Sequence, residues 1–546
     1  MPPQPLVRSL LLCLLLVAIA LLGCGGSGSG DSGGSGDGGD PDPSSPLGIN
    51  VSSADYWSSQ LMFVDAFKQS GDWVTQNEKW VDDGANPWDS GVIDQIPQDA
   101  DGYPLSLPAV GIPGTEAPQV VATALFVDID GQHPTGTFIC LYDGSGSLEF
   151  ELDASVISAA PGRIEVDVTG NGDGVLVRIV QSQPGDHVRN IRFIMPGFEA
   201  TYASEPFHPQ FLEWMKEFKV LRFMDLQKTI GSPNQAWAER TTTTHHTQTR
   251  AEGVAVEYLV DLANALQADA WFCVPHLADD DWVTQLATLV RDRLDPGLRV
   301  YVEYSNEIWN DSFPQGSYVE QKGLDLGLSG SPFEARLRYQ AQRSLEIFGI
   351  FESVFGGASR LVRVLASQAA NTWVSTTILD WNDAHRQTDA LAIAPYFGGY
   401  LGDPATQDSV AGWTVEQLLD ACETEITGRI DTRMTDQAAV AVGLGVDLIA
   451  YEGGQHLVGY AGAENNDDLN ALFDAANGHA RMQTLHTLYF EQWRAQGGRM
   501  FVPYTSIEKD SKWGRWGFAQ YQDQDPTTAP KYLALMEFIA SNPKWW

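Results

Sequence analysis

Two short apolar runs in the sequence each end in a glutamate. One begins at Tyr301 and ends in Asn306-Glu307, and the other begins at Asp447 and ends in Glu452, which two glycines follow. Both runs are predicted to be strands, and in a parallel barrel the carboxyl ends of the strands face one mouth. Two carboxyl groups held close together disfavour double ionisation, so one keeps its proton. The pair therefore predicts acid and carboxylate chemistry at a single mouth.

The elements that must position this pair begin at about Pro209, where helix-length amphipathic stretches alternate with short apolar runs. This alternation is the pattern of repeated βα units, and with one earlier run it predicts an α/β fold, a (β/α)8 TIM barrel. A doubly wound open sheet is the main alternative, but no Gly-rich fingerprint follows any of the runs. The eight predicted strands are Gly48–Val51, Val220–Asp225, Ala270–His276, Arg299–Asn306, Leu361–Ser367, Leu391–Tyr396, Asp447–Glu452 and Arg499–Ser506.

Residues 104–198 differ from the rest of the chain. Short alternating or apolar runs are separated there by Gly, Pro, Asn and Asp, which is typical of a small β-sandwich. We therefore expect an inserted all-β sandwich-like domain between barrel strands 1 and 2. Residues 47–103 would then start the barrel, and residues 199–546 would form the remainder of it.

The placement of Asn306-Glu307 on the fourth predicted strand and Glu452 on the seventh resembles clan A of the retaining glycoside hydrolases, which includes cellulases, mannanases and β-glucosidases. The resemblance covers the barrel and not the insert. It implies that Glu452 is the nucleophile, that Glu307 is the acid that later activates water, and that Asn306 contacts the sugar 2-hydroxyl. It implies no metal and no organic cofactor.

The same resemblance implies supporting residues on other strands. Arg222 would hold the nucleophile ionised, although a buried arginine also marks a structural ion pair. His276 would contact substrate, with a capped loop histidine as the alternative. Tyr396 would hydrogen-bond the nucleophile, with a core tyrosine as the alternative.

The eighth predicted strand departs from the clan, which usually places an aromatic platform at its end. Trp513 and Trp516 come later in the sequence. Either could stack on sugar if its loop folds back, or both could be packing residues. We favour Trp513, and the departure leaves the identity of the sugar open.

Other polar clusters compete for functional roles. Glu303 is interpreted as an ion-pair partner of Arg222 or Arg363, because a buried carboxylate needs one. The acidic run 279–281 is read as a solvated face, with a calcium site as the minority reading. The pair His245-His246 lacks the spacing of a zinc site and is expected in a loop near the mouth, where it and Trp237 could touch sugar.

The N-terminus carries a targeting segment. A single cation, Arg8, precedes an apolar run from Leu10 to Leu22 that has the length of a signal h-region, and Gly23-Cys24 follows. This end resembles the lipobox of bacterial lipoproteins, which implies removal of residues 1–23 and lipidation of Cys24. Residues 24–46 read as a flexible Gly/Ser/Asp linker. We therefore expect a protein that is exported and lipid-anchored to a bacterial membrane, at the outer membrane or cell surface; an ordinary signal peptide is the alternative.

The charge composition of the sequence excludes some classes of binding partner. The 546 residues include 33 Lys and Arg against 71 Asp and Glu, a formal net charge of −38, which disfavours nucleic acid and polyanionic glycans. We expect a monomer that hydrolyses a neutral β-linked polysaccharide or oligosaccharide and meets the membrane only through its lipid. Glycosyl transfer would use the same residues. The alternatives are a non-catalytic glycan-binding surface lipoprotein and an adhesion or assembly protein that works through the insert.

Overall fold

The computed structural model describes residues 45–546. The predicted signal segment, the lipidation site Cys24 and nearly all of the predicted linker lie outside the described residues. The export and lipid anchoring inferred from that segment therefore stay a prediction. Within residues 45–546, no helix combines the length and the apolar character that crossing a membrane requires.

The strands and helices follow one another in an order that separates an antiparallel part from an alternating part. The strands are β1 (Ile49–Asn50), β2 (Val74–Asn77), β3 (Gln119–Leu125), β4 (Gly136–Asp143), β5 (Gly146–Leu152), β6 (Ala154–Ala160), β7 (Arg163–Val168), β8 (Val175–Ser182), β9 (Arg189–Ile194), β10 (Val220–Arg222), β11 (Asp269–Val274), β12 (Val300–Tyr304), β13 (Leu361–Ala366), β14 (Ala390–Ile393) and β15 (Asp447–Ala450).

Within residues 45–546 the α-helices all follow β9. They are α1 (Pro209–Met215), α2 (Val256–Leu266), α3 (Asp280–Arg293), α4 (Pro314–Asp325), α5 (Pro332–Phe355), α6 (Thr372–Asp380), α7 (Gln407–Ala411), α8 (Val415–Glu425), α9 (Asp431–Leu444), α10 (Asp467–Asn477), α11 (Arg481–Ala495) and α12 (Pro530–Ser541).

A parallel sheet forms the frame of the α/β part. In the described part of the chain it has seven strands in the order β1-β10-β11-β12-β13-β14-β15, every neighbouring pair parallel. Seven of the eight runs predicted to be barrel strands thus overlap a strand of this sheet. Because the strands are parallel, the loops that follow them all leave from the end of the sheet where the strands have their carboxyl ends.

The eighth predicted run, Arg499–Ser506, does not form a regular strand, although it joins both edges of the sheet. The amide of Gly48 donates to the carbonyl of Phe501 at 2.9 Å on the β1 side, and the amide of Ala450 donates to the carbonyl of Met500 at 3.0 Å on the β15 side. Pro503 lacks an amide proton, which interrupts regular pairing here.

Side chains alternate between the two faces of the parallel sheet. On β11, Phe272 and Val274 pack outward against the helices, whereas Trp271 and Cys273 pack inward with residues of the neighbouring strands. This alternation follows from the pleat of a strand. It gives a helix-covered outer core and a separate inner core beneath the loops that carry the polar residues.

Two antiparallel sheets lie in the chain between β1 and β10. Among the described residues they are four-stranded, with the orders β2-β3-β8-β5 and β6-β7-β4-β9, and Phe138, Val166, Val177 and Phe193 are buried in one cluster between them. β2 lies before residue 104, so the antiparallel part begins earlier in the chain than the sequence pattern indicates. Its sequence, Val-Thr-Gln-Asn, is short and polar and shows no alternation.

Hydrogen bonds and an ion pair join the antiparallel part to two loops of the α/β part. The side chain of Thr244 donates to Asp101 at 2.6 Å, in the loop between β10 and α2. Lys509 forms an ion pair with Asp130 at 2.9 Å, and the hydroxyl of Tyr521 donates to the same carboxylate at 2.6 Å. The antiparallel part thus contacts the loops that follow β10 and the Met500–Pro503 segment.

Candidate active site

Three strand ends of the parallel sheet bring the charged residues together. Arg222 is the last residue of β10, Glu307 lies three residues beyond the end of β12, and Glu452 lies two residues beyond the end of β15. β12, Val-Tyr-Val-Glu-Tyr, is rich in β-branched and aromatic residues, which favours extended structure up to Tyr304, and the last three residues of β15 are apolar. Arg222, Glu307 and Glu452 therefore lie at or just beyond the ends of buried strands.

Arg222 is the centre of a buried ion-pair network. Its side chain is 0% exposed, and its guanidinium donates to Oε1 of Glu452 at 2.9 Å and to Oε2 of Glu303 at 2.9 Å. It also donates to the side-chain oxygens of Asn50 at 3.0 Å and Asn306 at 2.8 Å. One cation is thus shared by two buried carboxylates, a geometry in which charge-assisted hydrogen bonds are strong.

Glu303 has the ion-pair role expected of it, with Arg222 as the partner. The other candidate partner, Arg363, binds Asp389 and Glu352 at 2.8 Å each. Oε2 of Glu303 also accepts from the indole of Trp271 at 2.9 Å. These contacts account for Glu303 as a fixed part of the network rather than a reacting group.

Both oxygens of Glu452 accept a hydrogen bond. Arg222 donates to Oε1, and the hydroxyl of Tyr396 donates to Oε2 at 3.0 Å. Burial raises the pKa of Glu452, while the charge and hydrogen bond of Arg222, and then the Tyr396 hydroxyl, act to lower it. The two donors stabilise the carboxylate form of this residue.

Both oxygens of Glu307 also accept a hydrogen bond, but from neutral donors. The hydroxyl of Tyr451 donates to Oε1 at 2.9 Å and the amide of Asn310 donates to Oε2 at 3.0 Å. Burial, and then the negative charge of Glu452, raise the pKa of Glu307 to about 7. At neutral pH this carboxyl group keeps its proton for much of the time, which suits an acid.

The chain between β12 and Glu307 has an unusual backbone conformation. Ser305 and Glu307 have φ angles of 58° and 44°, in the left-handed region that favours glycine. Such residues cluster at functional sites, where the surrounding structure holds them. Here the two turns bring Asn306 to Arg222 and Glu307 to Tyr451.

A cleft opens above these groups. Its empty volume is about 670 Å³, and this value includes the part of the cleft that is open to solvent. Glu307, Glu452 and Asn306 form part of its wall, and most of the rest is aromatic or apolar. Among the described residues, no lysine or arginine lines this cleft. The aromatic side chains in its wall are Phe313, Tyr396, Tyr460, Tyr504, Trp513 and Trp516.

The two tryptophans of the late loop both line the cleft. Trp513 is half-buried, and the Lys512 ammonium lies 4.7 Å from the centre of its ring. Trp516 meets the rings of Tyr396 and Tyr504 edge-on, at centroid distances of 6.1 and 5.8 Å. Trp516 thus contacts the residue that binds Glu452, so it is as well placed as Trp513 to meet a ligand.

Most of the site residues predicted from the sequence come together, with one exception. Glu307, Glu452, Asn306, Tyr396 and Trp513 all line the cleft, and Arg222 lies buried behind them. His276 does not line it. The ring of His276 is buried edge-on against Tyr318 at 5.3 Å, and burial lowers its pKa to about 4. Its contact with substrate stays a prediction that this geometry does not favour.

The remaining polar clusters have structural partners. Asp279 caps α3 by accepting from the amide of Trp282 at 2.7 Å, and Asp280 pairs with Arg343 at 2.7 Å. His246 stacks on Trp73 of the antiparallel part at 4.9 Å, away from the cleft wall. Within residues 45–546, no group of three or more His, Cys, Asp or Glu side chains is arranged to hold a metal ion.

Several residues of the site were not identified from the sequence. Asn50 ends β1, so its position after an apolar run could have indicated it. Asn310 and Tyr451 are near neighbours in sequence of the two glutamates, but nothing local shows that they bind Glu307. His456 lines the cleft from the loop after Glu452 and carries no recognisable pattern.

Asp225 is a third carboxyl group at this mouth. Burial, and then the negative charges of Glu452 and Glu508, raise its pKa well above the ordinary value, while Arg222 and the Tyr504 side chain act to lower it. It therefore lies in the field of the pair without forming part of the cleft wall.

Comparison with known proteins gives no family model that matches this chain and no match among curated proteins. Solved structures with partial similarity include a 4-O-α-L-rhamnosyl-β-D-glucuronidase from Fusarium oxysporum, at 11% identity and a TM-score of 0.36 over 59% of this chain and 61% of that one. A broad-specificity endoglucanase from Clostridium acetobutylicum has 12% identity and a TM-score of 0.33 over 60% and 88% of the two chains. An endo-β-1,4-mannanase from Cellulomonas fimi has 13% identity and a TM-score of 0.31 over 59% and 63%.

Proposed function

We propose that this protein is a retaining glycoside hydrolase that cleaves a neutral, β-linked polysaccharide or oligosaccharide. One observation carries the proposal: two buried carboxyl groups at one cleft have different hydrogen-bond donors, a guanidinium and a tyrosine hydroxyl at Glu452 and two neutral groups at Glu307. Arg222 and Tyr396 donate to Glu452, whereas burial and the charge of Glu452 raise the pKa of Glu307 to about 7. Pairs of titratable groups whose environments separate their pKa values are typical of an acid and a nucleophile at one site.

In the proposed reaction Glu452 attacks the anomeric carbon as the bond from that carbon to the leaving oxygen breaks, and Glu307 gives its proton to that oxygen. A covalent ester between the sugar and Glu452 results. Ester formation removes the negative charge of Glu452, so the pKa of Glu307 falls and its carboxylate can accept a proton from water. That water attacks the anomeric carbon and releases Glu452, and two displacements retain the configuration.

The wall of the cleft supports a neutral carbohydrate as substrate. Rings such as Trp516 and Tyr504 offer flat apolar faces for the C–H faces of a sugar, while Asn306 and the glutamates offer polar contacts. A polyanionic glycan would need basic groups, which are absent from the cleft wall among the described residues. The formal net charge of −38 would also repel it.

The test is hydrolysis by the purified mature protein of a panel of β-glucans, mannans, xylans and galactans, with the anomer of the first product followed by NMR. Glu452→Ala and Glu307→Gln are each expected to lower kcat by on the order of 10³-fold or more on the polymer that is cleaved. Glu425→Gln is the matched control, because Glu425 and Glu452 are both 6% exposed and Glu425 lies outside the cleft wall.

Three results would contradict the proposal. Full activity in either site variant would show that the pair does not catalyse. An inverted first product would exclude a covalent intermediate on Glu452. Binding of a glycan without any hydrolysis in wild type would favour the non-catalytic glycan-binding alternative.

A further inference from the structure

His456 is a cleft residue to which the proposed reaction gives no role. It lies four residues after Glu452, and its ring forms part of the cleft wall. The ring meets Tyr396 edge-on at 5.5 Å and Trp516 edge-on at 5.0 Å, measured between centroids. It is thus in contact with the side chain that binds Glu452.

The two nitrogens of this ring are in different surroundings. Nδ1 is buried and has no hydrogen-bond partner within residues 45–546. It faces the backbone at Gly399, where a Cβ atom would lie 3.3 Å from it. The Nδ1 edge is thus occupied by the Gly399 backbone, and the opposite Nε2 edge is the one available to a ligand in the cleft that His456 lines.

This arrangement fixes where the proton of a neutral ring resides. Burial lowers the pKa of His456 to about 4, so at neutral pH the ring carries one proton. A buried N–H without an acceptor is rarer in proteins than a buried acceptor without a donor. The tautomer protonated on Nε2 fits these surroundings better than the one protonated on Nδ1, and we assign the donor to Nε2 on that ground.

The other polar groups of this ring cluster are already engaged. The hydroxyl of Tyr396 donates to Glu452 at 3.0 Å, and the indole N–H of Trp516 donates to the carbonyl of Trp513 at 3.1 Å. Of the three rings in this cluster of the described chain, His456 is the one whose donor is left for a ligand.

We propose that His456 is a specificity-determining residue, which donates from Nε2 to an oxygen of the sugar unit that lies against Glu452. The inference rests on the proposed function and deepens it, because it assigns the recognition of one sugar oxygen to this side chain. The acceptor is a hydroxyl oxygen of a neutral sugar. Removing this oxygen from the substrate, or removing the Nε2 donor from the protein, should lower kcat/KM by the same factor.

Three substitutions separate the Nε2 donor from mere packing. His456→Ala removes the ring, His456→Asn places an amide nitrogen near the Nδ1 position, and His456→Gln places one near the Nε2 position. We expect His456→Ala and His456→Asn to lower kcat/KM by about 10- to 100-fold on the aryl β-glycoside that wild type cleaves, and His456→Gln to recover most of the loss. His133→Gln is the control, because His133 is also 8% exposed with an unpartnered ring nitrogen, but lies in the antiparallel part.

Singly deoxygenated aryl β-glycosides identify the acceptor. One deoxy position should lower kcat/KM of wild type by the same factor as His456→Ala, and should cause no further loss in His456→Ala. In ¹⁵N NMR of wild type the protonated nitrogen should be Nε2. Independent losses at every deoxy position, or equal activity of the Asn and Gln variants, would overturn the inference.

Binding measurements keep this test separate from that of the proposed function. In the Glu307→Gln background, calorimetry with cellotetraose, mannotetraose and xylotetraose should show His456→Ala weakening the Kd of the best ligand by about 10-fold or more, with His456→Gln nearer wild type. An unchanged Kd would overturn the role of His456 even if hydrolysis is confirmed. A weakened Kd in a protein without hydrolysis would support that role and contradict only the enzyme assignment.

Discussion

One buried guanidinium decides how the carboxyl groups at this mouth divide their roles. Arg222 is hydrogen-bonded to Glu452 and Glu303, whereas Glu307 receives only the neutral donors Tyr451 and Asn310. The negative charge therefore resides on Glu452, and it raises the pKa of Glu307. The asymmetry that acid and nucleophile chemistry needs follows from the position of a single cation.

The Tyr451 hydroxyl offers a way to test that asymmetry. Its hydrogen bond lowers the pKa of Glu307 from what burial alone would give, because it stabilises the carboxylate form. Tyr451→Phe removes the bond, so the pKa should rise further and the alkaline limb of kcat/KM, expected near pH 7 in wild type, should move to higher pH. The measurement is a pH profile of kcat/KM from about pH 4 to 10 on the cleaved substrate.

A second buried tyrosine provides the control for that profile. The hydroxyl of Tyr489 donates to the carbonyl of Pro395 rather than to a carboxylate, so Tyr489→Phe should leave the limb in place. A limb that moves to lower pH in Tyr451→Phe would mean that Glu307 does not supply the proton.

The positions of the two glutamates could be predicted because each one follows a buried apolar run. The carboxyl ends of parallel strands lie at the same end of a sheet, so two such residues are expected to lie close together. Their partners could not. Which donors reach Glu307 depends on the left-handed backbone at Ser305 and at Glu307 itself, and no local pattern of residue types encodes that turn. The orientation of His276, buried against Tyr318, likewise depends on packing from a helix distant in sequence.

At the scale of elements, the loops after β14 and β15 are fixed against each other by close backbone contact. A Cβ atom at Gly402 would lie 1.8 Å from the carbonyl oxygen of Val458, which lines the cleft. The contact is backbone against backbone, so no flexible side chain can move to relieve it. Gly402 is therefore required for the close approach of the loop that carries His456 and Val458.

Two glycine substitutions should have opposite effects on stability. Gly402→Ala forces the two loops apart, and we expect the free energy of unfolding to fall by about 1–3 kcal/mol and kcat/KM to fall with it. Gly349→Ala, inside α5 with open space around the new methyl group, should raise the free energy of unfolding by about 0.5–1 kcal/mol. Urea unfolding of both variants checks the signs, and a Gly402→Ala protein as stable and active as wild type would contradict the packing argument.

The elements predicted from the sequence are those with strong local patterns. Seven of the runs predicted to be barrel strands overlap a strand of the parallel sheet, because these runs are largely apolar and end in polar residues. β6, Ala-Ser-Val-Ile-Ser-Ala-Ala, shows no apolar alternation, because nearly all of it is exposed and burial imposes none. The run Arg499–Ser506 shows the converse: its apolar residues are buried, but Pro503 prevents regular pairing.

At the scale of the whole molecule, the excess of acidic residues should weaken the folded state at low ionic strength. Arginine and lysine total 33 against 71 aspartates and glutamates, so the excess acids cannot each have a cation. Exposed ion pairs such as Arg481 with Asp420 lose strength in salt, but each contributes little. Self-repulsion of the unpaired excess acts over the whole surface and is screened by salt as well.

The repulsion between acidic residues should affect stability more than the ion pairs do. The small number of lysines and arginines limits how many ion pairs can form, whereas the excess negative charge has no such limit. Raising NaCl from 10 mM to 0.5 M is therefore expected to raise Tm by a few degrees. The Debye length falls from about 30 Å to below 8 Å, so the repulsion between surface carboxylates is screened. Differential scanning calorimetry at pH 7.5 measures it, and choline chloride at the same ionic strength distinguishes screening from binding of sodium. A Tm that falls with either salt would show that the ion pairs contribute more to stability than the excess negative charge removes.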